Sequence, residues 1–276
     1  MSAIAPRLVV NALLYPGETI GVYVSHTTFA GDSLPHWVED AQVELWEEGE
    51  WVGMLPYQGG GKYGINLLPK AGKAYRIRVQ AAGFETVSAA DVVPLPAQVE
   101  EGYFLLGAGT GEMHTYWGEM HLSIKDQKDE ANYYELLINP DLSDVLVSDP
   151  AWVAEGDRDF RPTSLFFSDA LFDGQIYTFN WKSKITRTPK LGGTGYFPLQ
   201  DVQLTFRTGS EHYYRFRKSW TRHRFNQGPG FTQFSLGDLY ELRLIGDPTE
   251  MYTNVQGGLG IFAAYNEREV LLRFIE

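Results

Sequence analysis

The tetrapeptide Gly111-Glu112-Met113-His114 recurs after Thr115-Tyr116-Trp117 as Gly118-Glu119-Met120-His121, each time setting a thioether beside an imidazole. Sulfur and imidazole donors together suit copper. Strand geometry argues against a shared ion. If 116–124 is one strand, Tyr116, Met120, Leu122 and Ile124 face a core while Glu119 and His121 face outward. His114 and His121 then have opposite parity and meet only across a bulge. The repeat is therefore expected to be a glycine-punctuated strand, and neither a metal nor another cofactor is expected.

Carboxylates offer a second kind of chemistry. Asp141, Asp144, Asp149, Asp157 and Asp159 crowd a stretch from Asp141 to Arg161 that has little periodicity and reads as an extended surface loop. Hard cations such as calcium take oxygen shells of this kind, but the spacing does not match an EF-hand loop. A solvated acidic loop is expected, with Asp157 and Asp159 the first residues to test as ligands. Asp169 and Asp173 sit in Ser168-Asp169-Ala170-Leu171-Phe172-Asp173-Gly174, where side chains of this type bond nearby backbone amides and shape turns. A glycosidase acid pair needs two carboxyls facing one cleft, which spacing alone does not provide. Gly-x-Ser-x-Gly, glycine-rich phosphate-loop and His-Glu-x-x-His patterns are absent. With no cysteine, thiolate ligands, disulfides and a cysteine nucleophile are excluded. The chain reads as a binding protein rather than an enzyme.

Binding residues are sought among the aromatics, whose rigid amphipathic rings bury much area at little entropic cost. Trp46 and Trp117 have outward parity in their strands, and Trp37 and Trp152 fall in segments read as loops, where folding alone does not explain a large apolar side chain. A basic surface is the other candidate. Tyr213, Phe216 and Trp220 follow helical spacing, with Arg215, Lys218 and Arg222 on the opposite face and a Thr208-x-x-Glu211 capping box in front. The expected partner-binding set is Trp37, Trp152, Trp117, Arg215 and Arg222.

Strands must position these residues. Ile20, Val22 and Val24 share one face, as do Val43 and Leu45, Tyr75, Ile77 and Val79, and Val202, Leu204 and Phe206. Tyr240, Leu242 and Leu244 repeat the pattern. Alternation of this kind predicts antiparallel sheets with one wet face. Turn residues at Glu48-Gly49, Gly59-Gly60-Gly61, Lys70-Ala71-Gly72 and Asp173-Gly174 separate the runs. The 276 residues suffice for two domains. The pattern lapses between Val93-Pro94-Leu95-Pro96 and Gly107-Ala108-Gly109, predicting a small β-sandwich over 7–95 and a larger antiparallel sandwich or partly closed barrel with one helix over 98–276. Among 58 charged side chains, 23 are basic and 35 acidic, a net charge of −12 that repels nucleic acid and anionic lipid. No apolar run reaches bilayer-spanning length.

Several short patterns occur together and in order: Leu8-Val9-Val10-Asn11, Val38-Glu39-Asp40-Ala41, Ala71-Gly72-Lys73-Ala74-Tyr75, Ala82-Gly83-Phe84, Asn132-Tyr133-Tyr134-Glu135-Leu136, Ser168-Asp169-Ala170-Leu171-Phe172-Asp173-Gly174 and Asn254-Val255-Gln256-Gly257-Gly258-Leu259-Gly260-Ile261-Phe262. Together they resemble a domain-of-unknown-function family of Bacteroidetes outer-membrane lipoproteins, often encoded beside TonB-dependent receptors. The resemblance spans nearly the whole chain. It implies an immunoglobulin-like or transthyretin-like first domain and an outer-membrane location through a lipid anchor, which the family attaches to a cysteine ahead of Leu8-Val9-Val10-Asn11. That cysteine is missing here, so Met1-Ser2 are expected to stand where signal and anchor were removed. The resemblance carries over no catalytic residue. It implies an envelope protein that binds a ligand or partner, as the accessory subunit of a TonB-dependent transporter, or alternatively an assembly subunit of an envelope complex. An enzyme acting on glycans is a more distant reading.

Overall fold

A computed structural model describes residues 5–28, 35–109, 115–137, 143–155, 164–186, 200–226 and 250–275. The first strands are β1 (Leu8–Leu14), β2 (Gly21–His26), β3 (His36–Trp37), β4 (Gln42–Glu47), β5 (Glu50–Met54), β6 (Tyr57–Gly59), β7 (Lys62–Gly64), β8 (Ala74–Gln80) and β9 (Val87–Val92). They are followed by β10 (Gln98–Gly109), β11 (Thr115–Lys125), β12 (Tyr133–Leu137), β13 (Ser143–Leu146), β14 (Ser164–Ser168), β15 (Ile176–Thr186), β16 (Val202–Gly209) and β17 (Leu259–Ile275). Among the described residues, helices α1 (Pro150–Ala154) and α2 (Glu211–Asn226) complete the regular elements apart from one 3₁₀ turn, Asp169–Leu171. The all-β class predicted from alternation is the class observed, and no barrel closes among the described residues. None of the described helices is long and apolar enough to cross a membrane. The segment carrying Tyr240, Leu242 and Leu244 lies outside the described residues.

Two compact units are formed, Met1–Pro94 with Ser210–Tyr265, and Leu95–Gly209 with Asn266–Glu276. The chain thus passes between units three times, and α2, expected in the second domain, falls in the first. The first unit is a sandwich. One layer runs β1, β2, β7 and β6, with β3 also on β2; the other runs β5, β4, β8 and β9. Its core consists of the inward residues of the alternating strands, including Val10, Val22, Val24, Val43, Leu45, Ile77 and Val79, none more than 1% exposed. Removing such side chains from water supplies roughly 1.5–3 kcal/mol each. On the opposite face of β8 the two arginines are held flat: Arg78 Nε lies 2.5 Å from Glu44 Oε2 and the Arg76 guanidinium 4.5 Å from the Trp46 ring centre.

The second unit is also a sandwich. One layer runs β13, β15, β11 and β10, and the other β14, β12 and β16. Between them lie Phe104, Met120, Leu122, Ile124 and Phe179 from one side and Leu136, Leu165, Phe167 and Phe206 from the other. The Met120, Leu122, Ile124 face of β11 is inward, as its parity predicts.

Strand direction departs from the sequence expectation. β17 pairs in parallel with β1, from Val9↔Leu259 to Leu14↔Ala264, and in parallel with β10 at Tyr103↔Arg273 through Leu105↔Ile275. Alternation reports which face is dry, not which way the neighbour runs, so it did not distinguish these pairings. The Gly257-Gly258-Leu259-Gly260 segment opens this strand, and there the need for glycine is physical. Gly260 has φ +101°, and a Cβ on it would lie 2.1 Å from the Val10 carbonyl oxygen. Asn254 pins the same strand, donating from Nδ2 to the Phe262 carbonyl at 2.7 Å and accepting from the Phe262 amide at 3.0 Å.

Helix α2 is present where its spacing predicted, but its cap differs. Ser210 Oγ accepts from the Tyr213 amide at 3.1 Å and so is the N-cap. Thr208 is buried in β16, where its hydroxyl accepts from the Ala97 amide at 2.9 Å. Ser210 Oγ also donates to Asp91 Oδ2, which accepts from the Ala264 amide at 2.7 Å. Burial pushes the Asp91 carboxyl up to about 6, outweighing the Ser210 hydroxyl, the Val92 amide, His212 and the Ala264 amide, which all favour its charged form.

Two outcomes follow from these contacts. Gly260→Ala should destabilise the first unit by about 2 kcal/mol or more, because it combines a positive φ with a backbone collision; an unchanged urea midpoint would refute this. The raised Asp91 value means that the folded state holds its proton more tightly than the unfolded chain. The resulting stabilisation is complete below the ordinary carboxylate value and is lost as pH rises through about 6, a contribution of about 3 kcal/mol. Between about pH 4.5 and about pH 7.5, Asp91→Asn should therefore lose less stability than the parent chain, and equal losses would count against the assignment.

Candidate binding surface

The outer face of the first unit's β1–β2 layer carries the least covered aromatic group among the predicted site residues. Val9, Asn11 and Leu13 point away from the core on β1, and Asn11 lies opposite Tyr23 of β2. Tyr23 in turn lies opposite Lys62 of β7, and Ser25 opposite Trp37 of β3. Leu13, Tyr23 and Trp37 are 45%, 43% and 42% exposed. Trp37 does not stand in a loop, as expected, but in a two-residue strand too short to show a period. Its ring rests on the backbone of Gly61, where a Cβ would meet it at 2.4 Å, and its centre is 6.3 Å from that of Tyr23. Gly61 at φ +74° also forms the turn, so one residue supplies both the bend and the seat for the indole.

The other predicted residues are placed differently. Trp152 lies in α1 and packs, partly buried, against the second core. Asp149 caps that helix: Oδ1 accepts from the Ala151 amide at 3.0 Å and the Tyr177 hydroxyl at 2.6 Å, and Oδ2 from the Asn180 amide at 2.9 Å. Thus the segment read as a loop holds a strand, Ser143–Leu146, and a helix whose signal, Asp149-Pro150, was present in the sequence. Trp117 faces outward on β11 with the Lys184 ammonium 5.4 Å from its ring centre. On α2, Arg215 pairs with Glu211 at 3.4 Å and lies 5.4 Å over the Tyr252 ring, and Arg222 is exposed one face-repeat further on. Trp37, Arg215 and Arg222 belong to the first unit, Trp117 and Trp152 to the second.

The second copy of the methionine–histidine repeat, with Met120 inward and His121 outward, follows its parity. His121 faces outward, its ring stacked 4.6 Å from Tyr103 and its Nδ1 2.6 Å from Asn180 Oδ1. Glu119 bonds the Lys182 ammonium at 2.6 Å, which holds its carboxyl below the usual range. His114, Asp141, Asp157 and Asp159 lie outside the described residues, as does the side chain of Asp144.

One carboxylate group was missed in the sequence. Asp126 joins Asp169 and Asp173, with a carboxylate oxygen from each within 4.8 Å of the others. Oxygen donors of this kind suit a hard cation. Their hydrogen bonds account for the cluster as a clamp between two turns. Asp126 accepts from the Tyr134 hydroxyl and from the Gly174 amide at 2.8 Å, Asp169 from the Asn132 amide at 2.8 Å, and Asp173 from the Asp129 amide at 2.9 Å. Asp169 and Asp173, expected to bond nearby backbone amides, accept instead from the amides of Asn132 and Asp129, 37 and 44 residues away, so they join distant turns rather than shape their own. Burial raises the Asp169 carboxyl above its ordinary value, and the neighbouring Asp126 and Asp173 charges push the same way. Tyr134 is driven upward by burial and by the Asp126 carboxylate. No sequence spacing links Asp126 to Asp169; only the fold does.

The family described as Domain of unknown function (DUF4249) matches residues 1–270. Among curated proteins no match is found. Solved structures similar to the chain include a beta-glycosidase from Bacteroides vulgatus, 13% identical, matched over 76% of this chain and 24% of that one at TM-score 0.21. Another is a tetra-tandem repeat in the extending region of a large adhesion protein, 12% identical, over 97% and 49% of the two chains at TM-score 0.22. A third is the collagen adhesin of S. aureus, 9% identical, over 98% and 94% at TM-score 0.23. The chain spans about a quarter of the glycosidase and half of the adhesion repeat. Likeness at this level carries no argument about activity.

The two loop-assigned tryptophans should separate in stability measurements. Trp152→Ala removes core contact and should cost about 3 kcal/mol, whereas Trp37→Ala, at the surface, should cost about 1 kcal/mol or less. Thermal melts showing the reverse order would contradict these placements.

Proposed function

We propose, for a chain that belongs to the family described as Domain of unknown function (DUF4249), that it is a non-catalytic binding protein of the cell envelope which docks on a partner through the Leu13–Tyr23–Trp37 face. The observation that carries this reading is the face itself: a tryptophan, a tyrosine and a leucine left open to solvent on one side of a sheet whose other side is a filled core. Flat aromatic surfaces of this kind anchor protein contacts, in which a few aromatic side chains supply most of the binding energy. A net charge of −12 gives the chain no general attraction for anionic partners.

The finer reading is an outer-membrane lipoprotein serving as accessory subunit of a TonB-dependent receptor. Its support is the resemblance to Bacteroidetes lipoproteins encoded beside such receptors. The non-catalytic part of the reading is supported by the carboxylates, since Asp91, Asp126, Asp149 and Asp169 each hold backbone or hydroxyl donors in place. A general acid or base instead presents its carboxyl to a substrate.

Affinity purification of the lipid-anchored protein from native membranes, with cross-linking in mild detergent, tests the pairing. A receptor should co-purify, and Trp37→Ala should weaken the complex by about 2 kcal/mol or more. Recovery of a soluble envelope subunit in place of a receptor would move the reading to an assembly component. Recovery of the protein alone would end it.

A further inference from the structure

His26 and His36 are directly opposed in the antiparallel β2–β3 pair, so their side chains leave the sheet on the same face. That face is the core side. His26 continues the Val22 and Val24 parity at the end of β2, and its ring centre lies 5.4 Å from that of Phe84, which packs on the first core. The centres of the two imidazoles are 5.3 Å apart and their planes are tilted by 57°, so the rings are not stacked face to face.

We propose that His26 and His36 form a two-histidine site for a divalent transition-metal ion of the zinc class. Two observations independent of each other support it. The first is the separation. With a zinc–nitrogen bond of about 2.0 Å, each ring centre lies about 3.2 Å from the metal, and two rings at the tetrahedral angle then stand about 5.2 Å apart. The observed 5.3 Å matches that spacing. The second is the tautomer. His26 Nδ1 is 3.0 Å from the Thr27 carbonyl oxygen. A carbonyl only accepts, so Nδ1 carries the proton and Nε2 the lone pair, the arrangement in which a backbone carbonyl orients a metal-binding imidazole. His26 is half-buried and His36 exposed, so water or a further oxygen or nitrogen donor can complete the coordination. Imidazole donors suit zinc, copper and nickel, and the tetrahedral fit favours zinc. The ion would tie β2 to β3, the short strand that carries Trp37, and would stiffen one border of the Leu13–Tyr23–Trp37 face. The site itself does not depend on that face being a docking surface.

Titration of the full chain with zinc sulfate in a non-chelating buffer, followed by calorimetry and by melting temperature, tests the proposal. One binding event is expected, with a rise in melting temperature reversed by chelator. His26→Ala and His36→Ala should each weaken it more than tenfold while leaving the metal-free melt in place, and His121→Ala should leave binding unchanged. Absence of zinc binding would overturn the proposal, and so would binding that survives in both His26→Ala and His36→Ala or is lost in His121→Ala. Should a variant unfold, His26→Gln provides the second readout: it keeps a polar side chain of similar reach, lacks the imidazole, and is expected to bind as weakly as His26→Ala.

Discussion

β17 is the element on which the rest of the structure depends. Over 17 residues it supplies a strand to each unit, pairing with β1 through its first part and with β10 through its last. Its first part is buried on both faces. Phe262 and Ala264 enter the first core, while Ile261 and Ala263 turn the other way and are covered with Tyr213 of α2. A strand with two dry faces needs a second layer, and the amphipathic helix provides it. Beyond Tyr265 the strand returns to alternation, with Val270 and Leu272 in the second core. The helix, the glycine cluster ahead of the strand and the Asn254 clamp all serve this one segment.

Carboxylates do the joining, with Asp126, Asp149 and Asp169 buried, Asp91 half-buried and Asp173 exposed. Asp91 gathers the start of α2 and the Ala264 amide, Asp149 gathers α1 and β15, and the Asp126–Asp169–Asp173 group ties the turn before β12 to the turn before β15. Each satisfies donors that helix ends and turns leave open, and a buried amide without a partner is costly. An acidic composition is therefore not only a surface property of this chain. Part of it is internal and structural, and that part is tied to backbone amides.

What remains at the surface is divided by chemistry. On β4 and β8, on β11 and β15, and along α2, charged and aromatic groups cover one another through ion pairs and cation–π contacts. Such contacts are individually weak but leave little bare apolar area. On the β1–β2 layer Leu13, Tyr23 and Trp37 form a different surface, with Trp37 seated on a glycine backbone and open on its outer side. Trp51 of β5 is more exposed still, at 61%, so this face is distinguished by the grouping of three exposed side chains on neighbouring strands rather than by exposure alone.

Local pattern alone determined a good deal of this protein. Tyr75, Ile77 and Val79 alternating with Arg76 and Arg78 specified a half-buried strand, and Tyr213, Phe216 and Trp220 specified a helix, because the period of side-chain burial is a property of neighbouring residues. The parity of Glu119 and His121 was legible for the same reason. Trp37 was misread as a loop residue because two residues show no period, and Thr208 was misread as a cap because Ser210 stood two positions nearer to the helix. The parallel partners of β17, the meeting of Asp126 with Asp169, and the common face of Leu13, Tyr23 and Trp37 were decided only by tertiary structure. These residues are far apart along the chain, and their proximity depends on which strands pair and in what register, a choice set by the burial of whole faces rather than by any local spacing.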